Sequence, residues 1–371
     1  MRTKKITHIV SNINYAIAFE WIAKYINKEK YELSFIFLHP TIPEIHQKIL
    51  ALGCKCYYIE FNGKKSYPLT FLKVIKLLIK IKPEITHSHL FDANLIGLTV
   101  SRLMGIKKRI YSRHHSTFHH DNFPKAVKYD NWANNMATHI IAISENVKGI
   151  LNVKENVINE KISLIHYGFD LSLFEVSNSD DVSFLMSKYN MSKKDSPIIG
   201  VVSRYIKWKG VQYIIPAFKK ILNEYPNAKL ILANANGPDR EYIHSQLAIL
   251  PKDSYVEISF EKNLFALYKL FDVFIHVPIN KEIEAFGQTY VEALAAGTPS
   301  VFTLSGIASE FVQNKNNALV VDYKNSEQIH DSIIQILANK KLTEKLIENG
   351  RKSIDQFRLE IFIKKLEQLY V

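Results

Sequence analysis

Cysteine is scarce in this chain of 371 residues, which contains only Cys54 and Cys56. Residues two apart on a strand point to the same side of a sheet, so this pair is a poor disulfide framework. Because disulfides are rare in the cytosol, we expect two reduced, partly buried thiols in a cytoplasmic protein. A small scaffold held together by disulfides is excluded.

Long hydrophobic runs are missing as well. The N-terminus is basic, but His8, Ser11 and Asn12 interrupt the apolar run that a signal peptide needs. Lysines interrupt even the most apolar segment, Phe71 to Ile81, and no segment reaches the roughly 20 apolar residues of a spanning helix. We therefore expect a protein that neither crosses the membrane nor is exported by this route.

Acidic residues are few in the first half of the chain. Residues 1–170 carry 24 Lys and Arg against 13 Asp and Glu, a net charge of +11, whereas residues 171–371 carry 24 against 23. This asymmetry indicates an anionic partner for the first half, such as a membrane surface or a phosphorylated acceptor. Nucleic acid is not expected, because basic and aromatic residues do not alternate as in an RNA-binding module.

One predicted helix of this half has a basic amphipathic pattern. Within residues 72–82, lysines share one helical face beside apolar residues: Lys73, Lys76 and Lys80 beside Leu72, Ile75 and Ile79. The pattern fits either a helix on an anionic membrane surface or an ordinary helix packed on a sheet with solvated lysines. We expect the protein in the cytoplasm, either free or peripheral on the inner face of the membrane.

Short β-branched runs alternate with longer amphipathic stretches along the whole chain, as in parallel sheets covered by helices. The length exceeds what one hydrophobic core usually supports. We therefore predict an α/β protein with two Rossmann-like domains that face a central cleft. The predicted strands are Ile6–Val10, Leu33–Leu38, Tyr57–Ile59, Ile85–Ser88, Arg109–Ser112, Ile140–Ile143 and Ile162–Ile165 in the first domain, and Ile198–Val202, Lys229–Ala233, Val256–Ile258, Val273–His276, Ser300–Phe302 and Ala318–Val321 in the second.

A polar stretch separates the two sets of strands and predicts the domain boundary. We expect an N-terminal domain over residues 1–172, a linker over 173–196 and a C-terminal domain over 197–350. The last helix, 351–371, could pack on either domain. Ligands of open α/β sheets bind outside the carboxyl ends of the strands, so that edge is the expected site.

The segment EAFGQTYVEALAAGTP, residues 284–299, combines a turn glycine with a helix. Gly287 precedes a predicted helix over Gln288–Ala296, whose start presents free N–H groups to an anion such as a diphosphate. Glu292 lies in this helix and Glu284 on the loop before it. Two carboxylates so placed can accept hydrogen bonds from the paired hydroxyls of a ribose and a sugar.

This segment resembles the signature of the family 4 retaining glycosyltransferases, E-x7-E within E-x-F-G-x4-E-A-x-A-x-G-x-P. The resemblance implies the GT-B fold and a nucleoside diphosphate sugar as donor substrate. It also implies that Phe286, Gly287 and Gln288 bind this donor, and that Glu292 holds its ribose. Glu284 would then bind sugar hydroxyls and stabilise the oxocarbenium-like state.

Two cations precede the motif by about 80 residues. In VVSRYIKWKG, residues 201–210, Arg204 ends a strand and Lys209 opens the next helix. Cations at the carboxyl edge of a sheet can compensate the charge of a diphosphate, bound or leaving. The same family has Arg and Lys at these positions, so the resemblance implies that Arg204 and Lys209 grip the donor diphosphate and assist its departure.

The first half resembles the family more loosely, in EITHSH before residue 90 and in YSRH over residues 111–114. The resemblance implies that His114 contacts the reacting sugar, with His115 as the neighbouring alternative. Departures occur at Ser11–Asn14, where the family often has Gly-Gly, at His166-Tyr167, which replaces Pro-Asn, and at Phe260-Glu261, which replaces a glycine. No metal site is expected among the dense histidines, because adjacent histidines on a strand point apart and no cysteine joins them.

The function implied is transfer of a hexosyl group from a UDP- or GDP-sugar to a hydroxyl of an acceptor sugar or lipid-linked glycan. The anomeric configuration would be retained, no metal or other cofactor would be required, and the product would belong to surface polysaccharide or glycolipid assembly. Both covalent attack by Glu284 and front-face attack assisted by the departing phosphate are compatible with these residues.

Two other functions compete with this one. A nucleotide-sugar epimerase or hydrolase could share the fold, but the E-x7-E segment argues against it. A non-catalytic scaffold in a polysaccharide-assembly complex would not need Glu284 and Glu292 together with Arg204 and Lys209. Fold-level analogy alone does not justify a function, whereas these motif residues do.

Overall fold

The computed structural model describes residues 3–175, 179–192 and 194–371 of the chain. The chain divides into two compact units: unit 1 comprises Met1–Gly168 and Leu359–Val371, and unit 2 comprises Phe169–Arg358. Each unit contains one sheet of parallel strands with helices between successive strands, so the predicted pair of Rossmann-like domains is confirmed. Within the described ranges, no helix is both long and apolar enough to cross a bilayer.

Unit 1 contains a seven-stranded sheet. Its strands are β1 (Lys4–Ser11), β2 (Tyr31–His39), β3 (Lys55–Glu60), β4 (Ile85–His89), β5 (Lys108–Arg113), β6 (His139–Ala142) and β7 (Ile162–Leu164). They lie in the order β3-β2-β1-β4-β5-β6-β7, and all neighbours are parallel. The order reverses between β1 and β4, and a crevice at the carboxyl ends of two such strands is the usual ligand site of this architecture.

Helices cover this sheet because each parallel crossover needs one. They are α1 (Ile17–Tyr25), α2 (Glu44–Ala51), α3 (Tyr67–Ile81), α4 (Phe91–Leu103), α5 (Phe118–Asn122), α6 (Val127–Met136) and α7 (Glu145–Gly149). Val74 of α3 and Ile96 of α4 pack with Ile9 and Ile36 of the sheet in one buried apolar cluster. Burial of such side chains contributes about 1.5–3 kcal/mol each.

Unit 2 repeats the plan with six strands: β8 (Ile198–Val202), β9 (Lys229–Ala233), β10 (Tyr255–Ile258), β11 (Val273–His276), β12 (Ser300–Phe302) and β13 (Leu319–Val320). Their order is β10-β9-β8-β11-β12-β13, with parallel neighbours throughout. Here the order reverses between β8 and β11. The carboxyl ends of these two strands are therefore the expected ligand edge of unit 2.

The helices of unit 2 are α8 (Ser172–Glu175), α9 (Ser179–Lys188), α10 (Val211–Glu224), α11 (Arg240–Leu247), α12 (Leu264–Lys269), α13 (Gln288–Ala296), α14 (Ala308–Phe311), α15 (Ser326–Ala338) and α16 (Lys340–Ser353). Side-chain caps fix several starts, since Asn325 accepts from the Gln328 amide at α15 and Asn339 from the Leu342 amide at α16. The core joins Ile214 of α10 to the β-branched residues of the sheet.

The last helix, α17 (Leu359–Tyr370), returns to unit 1, where the Tyr370 hydroxyl lies 2.8 Å from Nδ1 of His87. The segment expected to be a linker, residues 173–196, contains α9, which belongs to unit 2. Residues 176–178 and 193 of that segment lie outside the described residues. A partly exposed helix and a surface linker can have the same polar composition. The sequence pattern alone therefore does not distinguish them.

Candidate functional site

The carboxyl ends of β8 and β11 bring two of the predicted residues into contact. Lys209 closes a 3₁₀ turn after β8, and Glu284 lies on the loop between β11 and α13. Nζ of Lys209 is 2.7 Å from Oε2 of Glu284, and both side chains are largely buried, at 16% and 9% exposed. They are 75 residues apart in sequence and meet because parallel neighbouring strands end at one edge.

The environment of Glu284 keeps its carboxyl ionised. Burial alone would raise its pKa, but the positive charge of Lys209, together with His276 at 3.5 Å, outweighs burial and lowers the pKa to about 2. His276 is the last residue of β11, and burial lowers the pKa of its imidazole. A carboxylate held ionised in a largely buried position can stabilise a positive charge that develops beside it.

The loop that carries Glu284 leads into α13 through Gly287. Gly287 has φ of +87°, a left-handed conformation that residues with a Cβ rarely adopt, and an added Cβ would lie 2.6 Å from the ring of Tyr290. No side chain in the described part of the chain caps this helix start. The first N–H groups of α13 and its positive dipole end are therefore available to an anion.

A second glycine, Gly306, packs against the backbone of this loop. Gly306, after β12, has φ of +56°, and an added Cβ would lie 2.9 Å from the carbonyl oxygen of Glu284 and 2.8 Å from that of Phe286. The Ile307 amide donates to the same Phe286 carbonyl at 3.0 Å. The position of the carboxylate therefore depends on close backbone contact between the loops after β11 and β12.

Glu292, on α13, differs from Glu284 in its protonation. Burial raises the pKa of its carboxyl to about 7, against the opposing effect of the Tyr268 hydroxyl, which donates to Oε2 at 2.8 Å. Among the described residues no cation offsets the cost of burying the Glu292 carboxylate, whereas Lys209 does so for Glu284. The two glutamates of the E-x7-E motif therefore have opposite pKa shifts, and Glu292 can exchange a proton near neutral pH.

The other predicted residues of unit 2 take separate positions. The guanidinium of Arg204 is exposed and forms no ion pair with any residue that the structure describes. Gln288 is also exposed, on the first turn of α13. The ring of Phe286 is instead buried, with its centroid 6.2 Å from that of Phe169 and 5.8 Å from that of Phe357. This packing fixes the loop between β11 and α13.

In unit 1, His114 follows β5 and belongs to a series of hydrogen-bonded side chains. Its Nδ1 lies 2.5 Å from the Tyr167 hydroxyl and its Nε2 lies 3.2 Å from Nδ1 of His89, whose Nε2 lies 3.0 Å from Nδ1 of His8. Burial lowers the pKa of His114 to about 4 and that of His8 to about 3. These imidazoles are therefore neutral, and each can act as donor at one nitrogen and acceptor at the other.

His115, the alternative to His114, joins a different network. Its Nε2 lies 3.4 Å from Oδ2 of Asp130, which His119 also contacts at 2.7 Å. Arg113 lies 3.3 Å from the other oxygen of Asp130 and 2.5 Å from Glu155. Burial alone would raise the pKa of Asp130, but His115, His119 and Arg113 hold it well below its usual range.

Two groups of side chains in the described residues have ligand atoms within 4.8 Å of one another: His8, His87 and His89, and His115, His119 and Asp130. In the first, both nitrogens of His87 already have partners, Tyr370 and Ser112. In the second, Arg113 competes for the carboxylate. Hydrogen bonds and ion pairs account for both groups, and the sequence-based assignment of no metal remains a prediction.

Sequence reasoning missed three side chains around these residues. His276 was predicted only as the end of a strand, Tyr268 was not considered, and Tyr167 was noted only as a departure from the family pattern. The sequence did hold a signal for His276, because this residue ends a predicted strand, and the carboxyl ends of the strands are the expected ligand edge. Tyr268 had no such signal, because only packing brings α12 against α13.

Comparison with known proteins identifies two family patterns. The pattern described as Glycosyl transferases group 1 matches residues 185–353, and the pattern described as Glycosyltransferase Family 4 matches residues 22–173. The chain is 27% identical over 313 residues to the capsular polysaccharide biosynthesis glycosyltransferase CapM of Staphylococcus aureus, covering 81% of this chain and 80% of CapM. It is 23% identical over 320 residues to alpha-monoglucosyldiacylglycerol synthase of Acholeplasma laidlawii, covering 81% and 78%.

Among solved structures, Anabaena Alr3699/HepE in complex with UDP and glucose has the same fold. The TM-score is 0.83 over 100% of this chain and 99% of that chain, at 18% sequence identity. This likeness agrees with the two Rossmann-like sheets found here.

Proposed function

We propose, since this chain belongs to glycosyltransferase family 4, that it transfers a hexosyl group from a nucleoside diphosphate sugar to an acceptor hydroxyl with retention of configuration. The observation that carries the proposal is the buried, ionised Glu284 held by Lys209 beside the open start of α13. A carboxylate kept charged in a buried position costs desolvation energy, which marks it as a candidate functional group.

The diphosphate of the donor would bind at the start of α13. Its negative charge would be met by the N–H groups after Gly287 and by Arg204 and Lys209, which also stabilise the charge as the diphosphate leaves. Arg204 suits this role because its guanidinium is exposed and has no carboxylate partner among the described residues. The donor nucleotide would be UDP or GDP.

Glu284 would bind hydroxyls of the transferred sugar and stabilise the oxocarbenium-like state. As the bond from the anomeric carbon to the diphosphate breaks and the bond to the acceptor oxygen forms, the acceptor proton passes to the leaving phosphate in the front-face route. The covalent route through Glu284 uses the same residues. Both nitrogens of the neutral imidazole of His114 have partners, Tyr167 and His89. His114 would therefore hydrogen-bond a sugar hydroxyl by exchanging one of these partners for it.

Glu292 would hold the ribose hydroxyls, because it lies on α13 beside the diphosphate position and is half-buried rather than sealed. The acceptor would be a sugar or a lipid-linked glycan of surface polysaccharide or glycolipid assembly. Relatives named for capsular polysaccharide biosynthesis and for monoglucosyldiacylglycerol synthesis support this class.

The basic excess of unit 1 suggests peripheral contact with an anionic membrane. On α3, Leu69, Leu72 and Ile79 are 57%, 58% and 57% exposed, beside the exposed Lys76 and Lys80. Ile75, expected in the same row, packs against the core instead. An exposed apolar row with lysines beside it fits a helix that lies on a lipid surface.

The proposed donor chemistry can be tested with purified protein in the presence of EDTA. We expect UDP or GDP to raise the melting temperature, since a ligand at 100 times its Kd stabilises by about 2.7 kcal/mol. The cognate sugar nucleotide should be cleaved under the same conditions, and the product should keep the donor's anomeric configuration by NMR. Activity lost with EDTA and restored by Mn²⁺ or Mg²⁺ would overturn metal independence, and an inverted product would overturn retention.

A further inference from the structure

Unit 1 contains a cavity of about 1020 Å³, which is at the upper end of the size of small-molecule sites. It lies where the first turns of α3 and α4 meet α5 and the start of α6. All of its lining residues belong to unit 1, and the donor residues of unit 2 have no part in it. The donor chemistry proposed for unit 2 therefore gives this cavity no use.

The walls of the cavity are mostly apolar and aromatic. They include Tyr67, Phe91, Leu95, Phe123 and Tyr129. The rings of Phe91 and Tyr129 pack edge to face at 6.0 Å, and Phe123 is 56% exposed. An exposed aromatic ring at the edge of a mostly apolar cavity offers an apolar contact surface to a ligand.

Three lysines, Lys64, Lys125 and Lys128, line the same cavity, and no lining residue is an Asp or Glu. All three lysines are exposed, and none forms an ion pair with a carboxylate in the described part of the chain. Elsewhere in unit 1, lysines do find carboxylates, as Lys55 does with Glu32 at 2.6 Å. The ammonium group of Lys128 lies over the ring of Tyr129, 5.0 Å from its centroid. Because no carboxylate among the described residues neutralises the three ammonium groups, they can meet an anionic ligand.

We propose that this cavity binds the lipid phosphate that anchors a lipid-linked acceptor glycan, with the first part of the lipid on the aromatic wall and the phosphate at the three lysines. The acceptor hydroxyl then belongs to the glycan beyond the phosphate. This inference rests on the proposed function, because it names the chemical class of the acceptor in that reaction. Apolar walls and unpaired cations together select an amphiphile with an anionic head, since neither an alcohol nor free phosphate would use both features.

The experiment uses the full chain and farnesyl phosphate below its micelle concentration, followed by calorimetry. Farnesol and inorganic phosphate are the controls, because farnesol has only the apolar part of the ligand and inorganic phosphate only the anionic part. We expect farnesyl phosphate to bind at least tenfold more tightly than farnesol, and inorganic phosphate to give no measurable heat. Equal binding of the phosphate and the alcohol, or binding to vesicles alone, would overturn the proposal.

Two double variants locate the site. Lys125→Gln with Lys128→Gln should weaken farnesyl phosphate binding about tenfold or more, whereas Lys30→Gln with Lys55→Gln, which removes the same charge from the same unit outside the cavity, should not. Equal effects of both variants would mean a diffuse charge effect and no site. Circular dichroism shows whether each variant is folded, and Phe123→Ser provides a second variant that tests the apolar wall.

The failure of this inference can be told apart from failure of the proposed function. Thermal stabilisation by UDP or GDP reports on unit 2 and needs no acceptor. A chain that binds nucleotide but not farnesyl phosphate overturns the lipid acceptor alone. A chain that binds farnesyl phosphate but neither binds nor cleaves any sugar nucleotide overturns the transferase and leaves a lipid phosphate site.

Discussion

In unit 1 the buried imidazoles of His8, His89 and His114 are neutral and hydrogen-bonded in series, whereas in unit 2 Glu284 is buried in its ionised form against Lys209. Neutral groups that satisfy one another add little desolvation cost. A buried ion pair is expensive and is weak evidence for stability. Unit 2 therefore keeps a buried charged pair where the proposed sugar transfer would need it, while unit 1 holds its excess charge on the surface.

Unit 1 does contain one buried ionic network, formed by Arg113, Asp130 and Glu155, whose side chains are 1%, 5% and 0% exposed. It differs from the pair in unit 2 in exposure, because its three side chains are at most 5% exposed, whereas Lys209 remains 16% exposed. We therefore propose a structural role for the network in unit 1 and a functional role for the pair in unit 2. Substitutions in the two should affect different measurements.

The largest effect is expected from Arg113→Met. The substitution leaves two carboxylates uncompensated in the interior, which typically costs about 3–5 kcal/mol. Urea unfolding followed by circular dichroism measures the loss. The control is Arg102→Met, on the exposed surface of α4, which should change stability little. A loss for Arg113→Met as small as that of the control would contradict a structural role.

Glu284→Gln tests the other half of the comparison. It keeps the shape of the side chain but removes the charge, so kcat should fall by about 10²–10³-fold, as for loss of one preorganised electrostatic group. Nucleotide affinity should stay near normal, because the side chain is assigned to the sugar. Steady-state kinetics and calorimetry measure the two quantities, with the surface variant Glu327→Gln as control. A large loss of UDP or GDP affinity with kcat preserved would reverse the assignment.

Glu292→Ala should instead weaken nucleotide binding. A charged hydrogen bond to a bound hydroxyl contributes about 1.5–3 kcal/mol, or about 10- to 150-fold in Kd. The control is Glu327→Ala, which removes an exposed carboxylate from the same unit and should leave the Kd unchanged. Calorimetry with the free nucleotide measures the change. If Glu292→Ala binds nucleotide as well as the native chain, the ribose assignment is wrong.

The affinity for the donor should depend on pH through Glu292. Its pKa is raised to about 7, so the protonated form dominates below pH 7 and the ionised form, which accepts from ribose hydroxyls, dominates above it. Affinity for a sugar nucleotide should rise about tenfold from pH 6 to pH 8 and then level off. The sugar nucleotide is used because its diphosphate does not titrate in this range. The dependence should vanish in Glu292→Ala, and its persistence there would assign it to another group.

The smallest effect concerns the surface charge of unit 1. Lys76→Gln on α3 should weaken binding to vesicles that contain anionic lipid by about 1 kcal/mol, or about fivefold, and added salt should weaken binding further. Co-sedimentation measures the bound fraction. Lys220→Gln makes the same charge change in unit 2 and should have no effect. Equal recovery on neutral and anionic vesicles, or no binding at low salt, would exclude the membrane contact.

Local patterns in the sequence determined much of this protein. Short β-branched runs predicted the thirteen strands that the described residues form, because strands buried in parallel sheets are continuously apolar. The glycine and helix of residues 284–299 predicted the start of α13, because turn and helix signals depend on adjacent residues. The motif residues Glu284 and Lys209 were also identified from sequence, through their resemblance to a family.

Only the tertiary structure decided how these residues are protonated and which of them meet. The two glutamates of one motif have pKa shifts in opposite directions. Lys209, 75 residues away, outweighs the effect of burial on Glu284, whereas the effect of burial on Glu292 outweighs the hydrogen bond from Tyr268. His114 and His115 are neighbours in sequence but join separate networks, since consecutive side chains leave the end of a strand on opposite sides. Electric fields and desolvation depend on distances between chain segments, which no local pattern encodes.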